Sequence, residues 1–439
     1  MADSRFTLVG VHQLRKGMFI QLELGWIDHP FPVGSFKIVS EQQLQILRTL
    51  GSRMVRYYPS RSDVSAFEVP DGPDSDIGRQ PDASQVASTA DVITLDLTPE
   101  ALERAQRRTQ FEAQQKILRD CEARFNEASL QFDGMASQVL SSPEIARSLG
   151  EELVGGCLAE LLTNGESVIR LLSEGVGEGS STHAVNVMVI SLLLGKALDM
   201  DDGQLSALGI AAVMHDLGKL ELPEKPRFLQ DHFSPAEVRQ YQQHVALGVA
   251  IAQRMHLPTT VVDGIAQHHE YRDGTGFPLR LSGAGIGRVG SVLSLVNCFD
   301  NFCNPARSTV ARTPHEALST IFAQLKARFD PVVLGAFIKM MGVYPPGSVV
   351  QLINDRFAIV VSVNPARPLR PKLIVHDPRV PREEALVLDL EDMPELGVRR
   401  SLKPAQLPKA AMDYLSPRPR ICYFFERAVD PGSKTAAKG

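Results

Sequence analysis

MHDLGK, residues 214–219, is the stretch of sequence that decides the fold. It closes an apolar run whose spacing predicts a helix, and Gly218 allows the chain to leave the helical conformation there. His215 and Asp216 would diverge on a regular helix, whereas at a helix end both side chains turn towards one centre. An imidazole and a carboxylate suit Fe, Mn or Zn, and a carboxylate bridges two metal ions about 3.5–4 Å apart. Lys219 adds a compact positive charge that suits a phosphate or leaving oxygen.

A second informative stretch is HHEYRDGTGFP, residues 268–278, which follows another predicted helix. Its two adjacent histidines precede a turn whose glycines permit close backbone approach to a ligand. Phe277 is suited to pack against a base. A GTGFP sequence alone is typical of any loop, but its position directly after the two histidines indicates a ligand-binding loop.

Histidines are concentrated in the central part of the chain. Five of the eleven fall within or beside predicted apolar helices: His183, His215, His244, His268 and His269. A lone histidine on such a helix is more often a satisfied core residue than a ligand. Five unpartnered buried imidazoles would each cost about 1–3 kcal/mol, and metal ligation removes that cost. The five together therefore predict a metal centre.

The order and spacing of these motifs resemble those of the HD-GYP family, a branch of the HD phosphohydrolase superfamily. The resemblance runs over residues 183–300, and the GYP of the family is GFP here. It implies the following metal ligands: His183, His215, Asp216, His244, His268 and His269. It also implies Lys219 as the catalytic lysine, Asp216 as a metal-bridging and catalytic carboxylate, and two divalent metal ions, Fe or Mn before Zn.

The same resemblance implies an activity. The expected reaction is hydrolysis of cyclic di-GMP by a metal-bridged hydroxide, giving pGpG and, with further cleavage, GMP. The residues themselves argue only for metal-assisted hydrolysis of a phosphoester. The expected substrate-binding residues are Lys219, Asp273, Gly274, Gly276, Phe277, Pro278 and Arg307, with a solvated loop as the equal alternative for Arg307.

Two positions depart from the family pattern. The family's last ligand is an aspartate in a segment of the form ADxYDAL, and the matching residues 296–302 are VNCFDNF. Asn297 is therefore the expected ligand, with an amide oxygen that coordinates but carries no charge, while Asp300 is the retained second aspartate. Some members hold a third metal with a glutamate where Gly179 stands here, which favours two metals. The alternatives to cyclic di-GMP hydrolysis are the hydrolysis of another phosphoester, or no strong activity at all. In the second case the chain is a weakly active or inactive module that binds cyclic di-GMP or a protein.

The rest of the chain predicts a multidomain protein, an all-α HD-type metal phosphohydrolase core between two β-containing regions. Residues 143–340 contain no convincing strand, whereas short β-branched segments follow Pro346. The predicted parts are a small β-containing N-terminal domain at 1–70, a linker at 71–98, a long helical segment at 99–142, an all-α catalytic domain at 143–343, a β-rich region at 344–427 and a disordered tail at 428–439.

Charge and composition limit the expected partners and location. The formal net charge of −5 argues against nucleic-acid binding, and the basic stretch 367–372 is interpreted as a solvated loop. The apolar stretches are too short to span a bilayer and the N-terminus lacks a signal-peptide layout, which predicts a cytoplasmic protein without a membrane partner. The odd cysteine count predicts reduced thiols, with Cys298 and Cys303 as buried hydrophobes rather than a metal pair.

Two further hypotheses concern protein partners. The mixed-charge helix expected at 99–140 is either solvated or pairs with a second copy in a homodimer. The N-terminal region either regulates the core or binds a protein partner.

Overall fold

The computed structural model describes residues 7–22, 35–49, 54–63, 99–163, 167–173, 181–227, 233–305, 311–365 and 367–427. The chain divides into two units, Met1–Glu112 and Ala113–Gly439. The predicted linker at 71–98, the predicted tail at 428–439, Gly179 and Arg307 lie outside the described residues.

The first unit contains a four-stranded antiparallel sheet of order β1-β4-β2-β3 among its described residues. Its elements are β1 (Thr7–Gly10), β2 (Phe19–Gln21), β3 (Ser35–Lys37), α1 (Glu41–Thr49) and β4 (Met54–Tyr57). Alternation along these short strands places Ile20, Phe36 and Val55 in a small apolar core, which Leu47 of α1 completes. This agrees with the small β-containing domain expected from the sequence.

The second unit is mostly helical, as the sequence predicted. Its helices are α2 (Pro99–Gln138, which begins within the first unit), α3 (Pro143–Leu162), α4 (Ser181–Ala197), α5 (Asp202–Met214), α6 (Pro235–Arg254), α7 (Thr259–Gln267), α8 (Arg288–Cys303), α9 (Pro314–Gln324) and α10 (Pro331–Met341). Local signals fix several of their starts, since Asp201, Ser234 and Thr313 each form a capping box with the residue three positions later. α4 is buried on almost every face, as its apolar sequence predicted.

A seven-stranded sheet completes the described part of this unit, and its path runs β10-β6-β7-β5-β11 with β8 beside β7 and β9 beside β8. The added elements are β5 (Ser167–Leu171), β6 (Val349–Leu352), β7 (Phe357–Ser362), β8 (Lys372–Val375), β9 (Val387–Asp389), β10 (Val398–Leu402), α11 (Lys409–Leu415) and β11 (Tyr423–Arg427). None of the helices described is long and apolar enough to cross a membrane.

The expectation that residues 143–340 contain no strand is wrong, because β5 lies between α3 and α4. β5 pairs with β11 along its whole length, from Tyr423 opposite Leu171 to Arg427 opposite Ser167. Its five residues are too few for a periodicity signal, and its partners lie far along the chain, so tertiary pairing rather than local sequence determines the strand. The helical core and the C-terminal strands therefore share one sheet.

Candidate metal centre

Helix ends bring most of the predicted ligands to one place. His215 caps the C-terminus of α5, and Asp216 follows it at the start of a short 3-10 turn. His268 occupies the same capping position on α7. At these positions the backbone stops following the helical repeat, so adjacent residues such as His215 and Asp216 face one centre, as the sequence predicted. His183 and His244 join them from within α4 and α6.

Two groups of candidate ligands share one carboxylate. In each group the ligand atoms lie within 4.8 Å of one another. One group is Asp216 with His183 and His215, and the other is Asp216 with His244, His268 and His269. The Asp216 Oδ2 atom is 3.5 Å from His183 Nε2, whereas its Oδ1 atom is 3.6 Å from His244 Nε2. The carboxylate thus presents one oxygen to each group.

Backbone hydrogen bonds set the orientation of three imidazoles. The Nδ1 atoms of His215, His244 and His268 lie 2.7, 2.6 and 2.6 Å from the carbonyl oxygens three residues earlier in the chain. Because a carbonyl only accepts, each Nδ1 carries a proton. The nitrogen left to coordinate a metal is therefore Nε2, which is the one that faces Asp216.

The arrangement fits two metal ions. His183 Nε2 lies 3.2 Å from His215 Nε2, and His244 Nε2 lies 3.2 Å from His268 Nε2. Lone pairs facing each other at this distance repel, whereas two nitrogens about 2.1 Å from one metal at right angles are separated by about 3 Å. Among the described side chains, Asp216 Oδ1 and His269 Nε2 are also buried without a hydrogen-bond partner. Divalent cations would satisfy all of these atoms.

Burial and charge give these groups the protonation states that metal binding requires. Burial lowers the pKa of His244 to about 4, against the opposing charge of Asp216, and lowers those of His268 and His269 well below the usual value. Burial acts to raise the pKa of Asp216, but the charge of Lys219 and the neighbouring His215 hold it well below its usual range. His244, His268 and His269 therefore stay neutral while Asp216 stays ionised.

The metal-free protein should therefore lose stability as the pH falls from about 6.5 towards 4. An unfolded His244 takes up a proton near its ordinary pKa of 6.5, whereas the folded residue does so only near 4, so protons favour the unfolded chain in this window. His244 alone corresponds to about 3 kcal/mol of unfolding free energy over the whole window, of which about 2 kcal/mol is lost between pH 7 and pH 5. Chemical denaturation in EDTA at pH 7 and pH 5 measures the change. Equal unfolding free energies at the two pH values would contradict the burial of neutral histidines.

A glycine contact brings the His215–Asp216 turn against α6. A Cβ atom at Gly218 would overlap the carbonyl oxygen of His244 and crowd the backbone nitrogen of Gly248. The sequence suggested that Gly218 ends a helix. In the structure it also allows the backbone at Gly218 to contact the α6 backbone at His244 and Gly248. This contact places His244 beside His215 and Asp216.

The loop after His269 is fastened by Glu270, a residue for which the sequence predicted no role. Glu270 is fully buried and accepts backbone hydrogen bonds from Leu279 (2.6 Å), Arg280 (3.2 Å) and Leu281 (2.9 Å). The signal that the sequence offered for this role was an acidic residue directly after two ligand-type histidines. The loop is thereby held by a side chain adjacent to the centre.

The predicted substrate-binding residues of this loop have partners within it. Asp273 accepts hydrogen bonds from the backbone nitrogen and hydroxyl of Thr275 at 3.0 and 2.6 Å. Gly274 has a φ of +77°, and a Cβ at Gly276 would meet the Cα of Glu270 at 2.5 Å. Phe277, which precedes Pro278 in a cis peptide bond, stacks on the His269 ring at 4.4 Å. These contacts shape the loop around His269.

Lys219 is the cation of the centre. Its Nζ atom lies 2.6 Å from Asp216 Oδ2 and 5.5 Å from the ring centroid of Tyr241. Burial acts to lower its pKa, but the Asp216 carboxylate outweighs this and raises the pKa, so Lys219 is an ammonium ion. The Tyr241 contact was not expected from the sequence, because nothing distinguishes this aromatic residue from the apolar face of α6.

Two polar residues of α8, Asn297 and Asp300, lie outside the two groups of candidate ligands that share Asp216. Asn297 is buried, and its Oδ1 atom accepts a hydrogen bond from Asn301 Nδ2 at 2.6 Å. Asp300 contacts His183 on the other side of the ring from Asp216. Its Oδ2 atom lies 2.6 Å from His183 Nδ1, whereas His183 Nε2 is the nitrogen that faces Asp216. Burial raises the pKa of the Cys298 thiol to about 12 and holds that of Cys303 well above its usual value, so neither is a thiolate.

Comparison with known proteins places these residues in a recognised domain. Residues 166–333 match the family model described as HD domain, and residues 7–148 match one described as Domain of unknown function (DUF3391). A cyclic di-GMP phosphodiesterase of Pseudomonas aeruginosa is 26% identical over 374 residues, which cover 84% of each chain.

Other relatives match a smaller part of the chain. A cyclic di-GMP phosphodiesterase of Thermotoga maritima is 24% identical over 39% of this chain and 48% of its own length. Among solved structures, a chain described as an HDG"Y"P protein from Bdellovibrio bacteriovorus aligns over 76% of this chain and 98% of its own, with 15% identity and a TM-score of 0.40.

Proposed function

Because the chain belongs to the HD-GYP branch of the HD phosphohydrolases, we propose that it hydrolyses cyclic di-GMP to pGpG or onward to GMP with two bound divalent metal ions. The observation that carries the proposal is Asp216, whose two carboxylate oxygens face two separate groups of histidines. A shared carboxylate between two nitrogen-rich groups is the donor set of a two-metal phosphohydrolase.

The protein residues divide into two ligand sets. His183 and His215 would hold one metal, whereas His244, His268 and His269 would hold the other, and Asp216 would contribute to both. Asn297 is the further ligand proposed from the resemblance. The mixture of imidazole nitrogen and carboxylate oxygen favours Fe or Mn, with Zn as a further option. When bound, the two ions would supply an activated water as nucleophile and neutralise charge on the phosphate.

Lys219 provides the fixed cation beside that phosphate. Its ammonium group is held by Asp216 Oδ2, so it needs no reorganisation when charge develops on a phosphate oxygen or on the leaving oxygen. Its proposed role is to bind a non-bridging oxygen of the substrate and to stabilise the leaving oxygen of the scissile bond. Asp216 would keep this cation close to both metal-binding groups.

The loop at 273–278 supplies the remaining proposed substrate contacts. Glu270 holds the backbone of Leu279 and Leu281, so Phe277, which Pro278 follows, stays stacked on His269. Asp273, Gly274 and Gly276 would act by giving this loop its shape, and Arg307 is proposed as a second phosphate contact.

A cytoplasmic location, a homodimer and a protein partner of the N-terminal region also stay proposals.

Turnover of cyclic di-GMP tests the function directly. The protein is purified without oxygen, loaded with Mn or Fe, and compared with the variant His215→Ala/Asp216→Ala prepared in the same way. We expect pGpG to form with the wild type, and we expect the double variant to lose both metal and turnover. The readouts are chromatography of the nucleotide products and metal analysis of the protein.

The other outcomes separate the alternatives. Two bound metals with no turnover of cyclic di-GMP, but with hydrolysis of another phosphoester, would change the substrate. Two metals and tight binding of cyclic di-GMP without hydrolysis of any phosphoester would favour a binding module. A wild-type protein that binds no metal would contradict the ligand assignment.

A further inference from the structure

Asp300 connects a candidate ligand to the C-terminal part of the chain. The carboxylate is fully buried, and its Oδ2 atom lies 2.6 Å from His183 Nδ1. Its Oδ1 atom accepts hydrogen bonds from Asn186 Nδ2 at 3.0 Å and from Asn304 Nδ2 at 2.9 Å. Both oxygens of the carboxylate therefore face side-chain nitrogens.

The two asparagines also hold the backbone just before and within β11. Asn186 Nδ2 donates to the Ile421 carbonyl at 2.7 Å, and its Oδ1 accepts from the Tyr423 nitrogen at 3.0 Å. Asn304 Nδ2 donates to the same Ile421 carbonyl at 2.8 Å, and its Oδ1 accepts from the Ile421 nitrogen at 2.8 Å. Each amide group thus links Asp300 to residues 421–423.

This group of polar atoms is closed. Each asparagine has two amide hydrogens, and in both residues one goes to Asp300 and the other to Ile421. A buried network in which every donor has an acceptor is rigid, whereas one missing member leaves several buried groups unsatisfied. Movement of residues 421–423 would therefore be transmitted to Asp300 and from there to His183.

His183 differs from the other ligands in what holds it. His215, His244 and His268 are oriented by carbonyls of their own helices, three residues earlier. The described Nδ1 contact of His183 is to Asp300, which lies 117 positions away in the sequence. Loss of the network should therefore disturb the metal site of His183 and His215 and spare the other.

We propose that Asn186, Asn304 and Asp300 are positioning residues through which the backbone of residues 421–423 orients His183, so that this backbone, and not its side chains, supports one of the two metal sites. A carboxylate on the far nitrogen of a ligating imidazole fixes the ring and raises the basicity of Nε2, and loss of such a partner weakens metal binding about 10- to 100-fold. The inference rests on the proposed metal centre.

Mn(II) titration of the metal-free full-length protein, followed by calorimetry, tests this inference. The variant is Asn304→Ala, because Asn304 is only half-buried and its loss should not unfold the chain. The matched control is Tyr423→Phe, at the first residue of β11, which removes the 2.9 Å hydrogen bond from the Tyr423 hydroxyl to the Pro346 carbonyl. The control keeps the backbone contact to Asn186, so it lowers stability without breaking the network.

The expected result is that the Mn(II) affinity changes at one of the two sites and not at the other. Asn304→Ala should weaken one Mn site, by no more than the roughly 10- to 100-fold expected for loss of the carboxylate itself, and leave the other unchanged, whereas Tyr423→Phe should keep both affinities. His183→Ala identifies the affected site, and Asn304→Ala should have no further effect in that background. Unchanged affinities in Asn304→Ala, or equal weakening of both sites, would overturn the inference. A wild type without Mn binding would instead overturn the proposed function, and this inference with it.

Discussion

Asp216→Asn should remove both metal ions from the protein and reduce turnover by more than about 100-fold. The amide keeps the shape of the side chain but supplies no negative charge to either group of histidines. Loss of an outer partner of a ligand already costs about 10- to 100-fold in metal affinity, and this residue is a direct ligand candidate for both ions. Lys219 would also lose the buried counter-ion that lies 2.6 Å from its Nζ atom. Metal analysis and product formation measure the two losses.

His269→Ala is the matched control for this substitution. His269 belongs to one of the two groups, so its loss should weaken one metal and leave the ion between His183 and His215 in place. Metal analysis of the two variants therefore distinguishes a ligand shared by both ions, Asp216, from a ligand of one ion only, His269. Retention of two metal ions by Asp216→Asn would show that the carboxylate is not shared between them.

Gly218→Ala should destabilise the second unit by about 3 kcal/mol or more. The new Cβ atom would overlap the His244 carbonyl, which is backbone and cannot rotate away as a side chain could. α6 would have to move, and His244 would move with it, so metal binding should fall together with stability. Chemical denaturation followed by far-ultraviolet circular dichroism measures the loss, because this signal reports mainly on the helical unit.

Gly155→Ala provides the control for the glycine substitution. Gly155 lies within α3, and a Cβ atom there would meet nothing within 4 Å. Alanine in an exposed helix interior is favoured over glycine by about 0.5–1 kcal/mol, so this variant should be slightly more stable than the wild type. A Gly218→Ala protein as stable as wild type would show that α6 accommodates the added methyl group at no cost.

The helical core and most of the C-terminal strands were predictable because their signals are local. Apolar residues at helical spacing, with proline at the first position or a capping box, define several of the helices from a short window of sequence. The proximity of the histidines was predictable for another reason. Five imidazoles on apolar helices need a common partner, and the HD pair fixes where that partner lies.

The features that sequence analysis missed depend on distant parts of the chain. β5 is a strand because β11 and β7 pair with it, and its own five residues do not distinguish it from a turn. Asn186 offered a weak signal, as a polar residue within an apolar helix three positions after His183. Asn304 offered none, since its role depends on a backbone segment 117 positions later.

The pairing of β5 with β11 has a consequence for biosynthesis. Arg170 and its buried partner Glu426 are 256 residues apart, so at about 5–20 residues per second the ribosome makes the second roughly 13 to 50 seconds after the first. Every candidate ligand is made within that interval, and once residue 300 has been added the nascent chain holds all of them but still lacks the segment 421–423 that anchors Asp300. The site of His244, His268 and His269 is therefore complete first, and that of His183 matures only when β11 has been translated and docked.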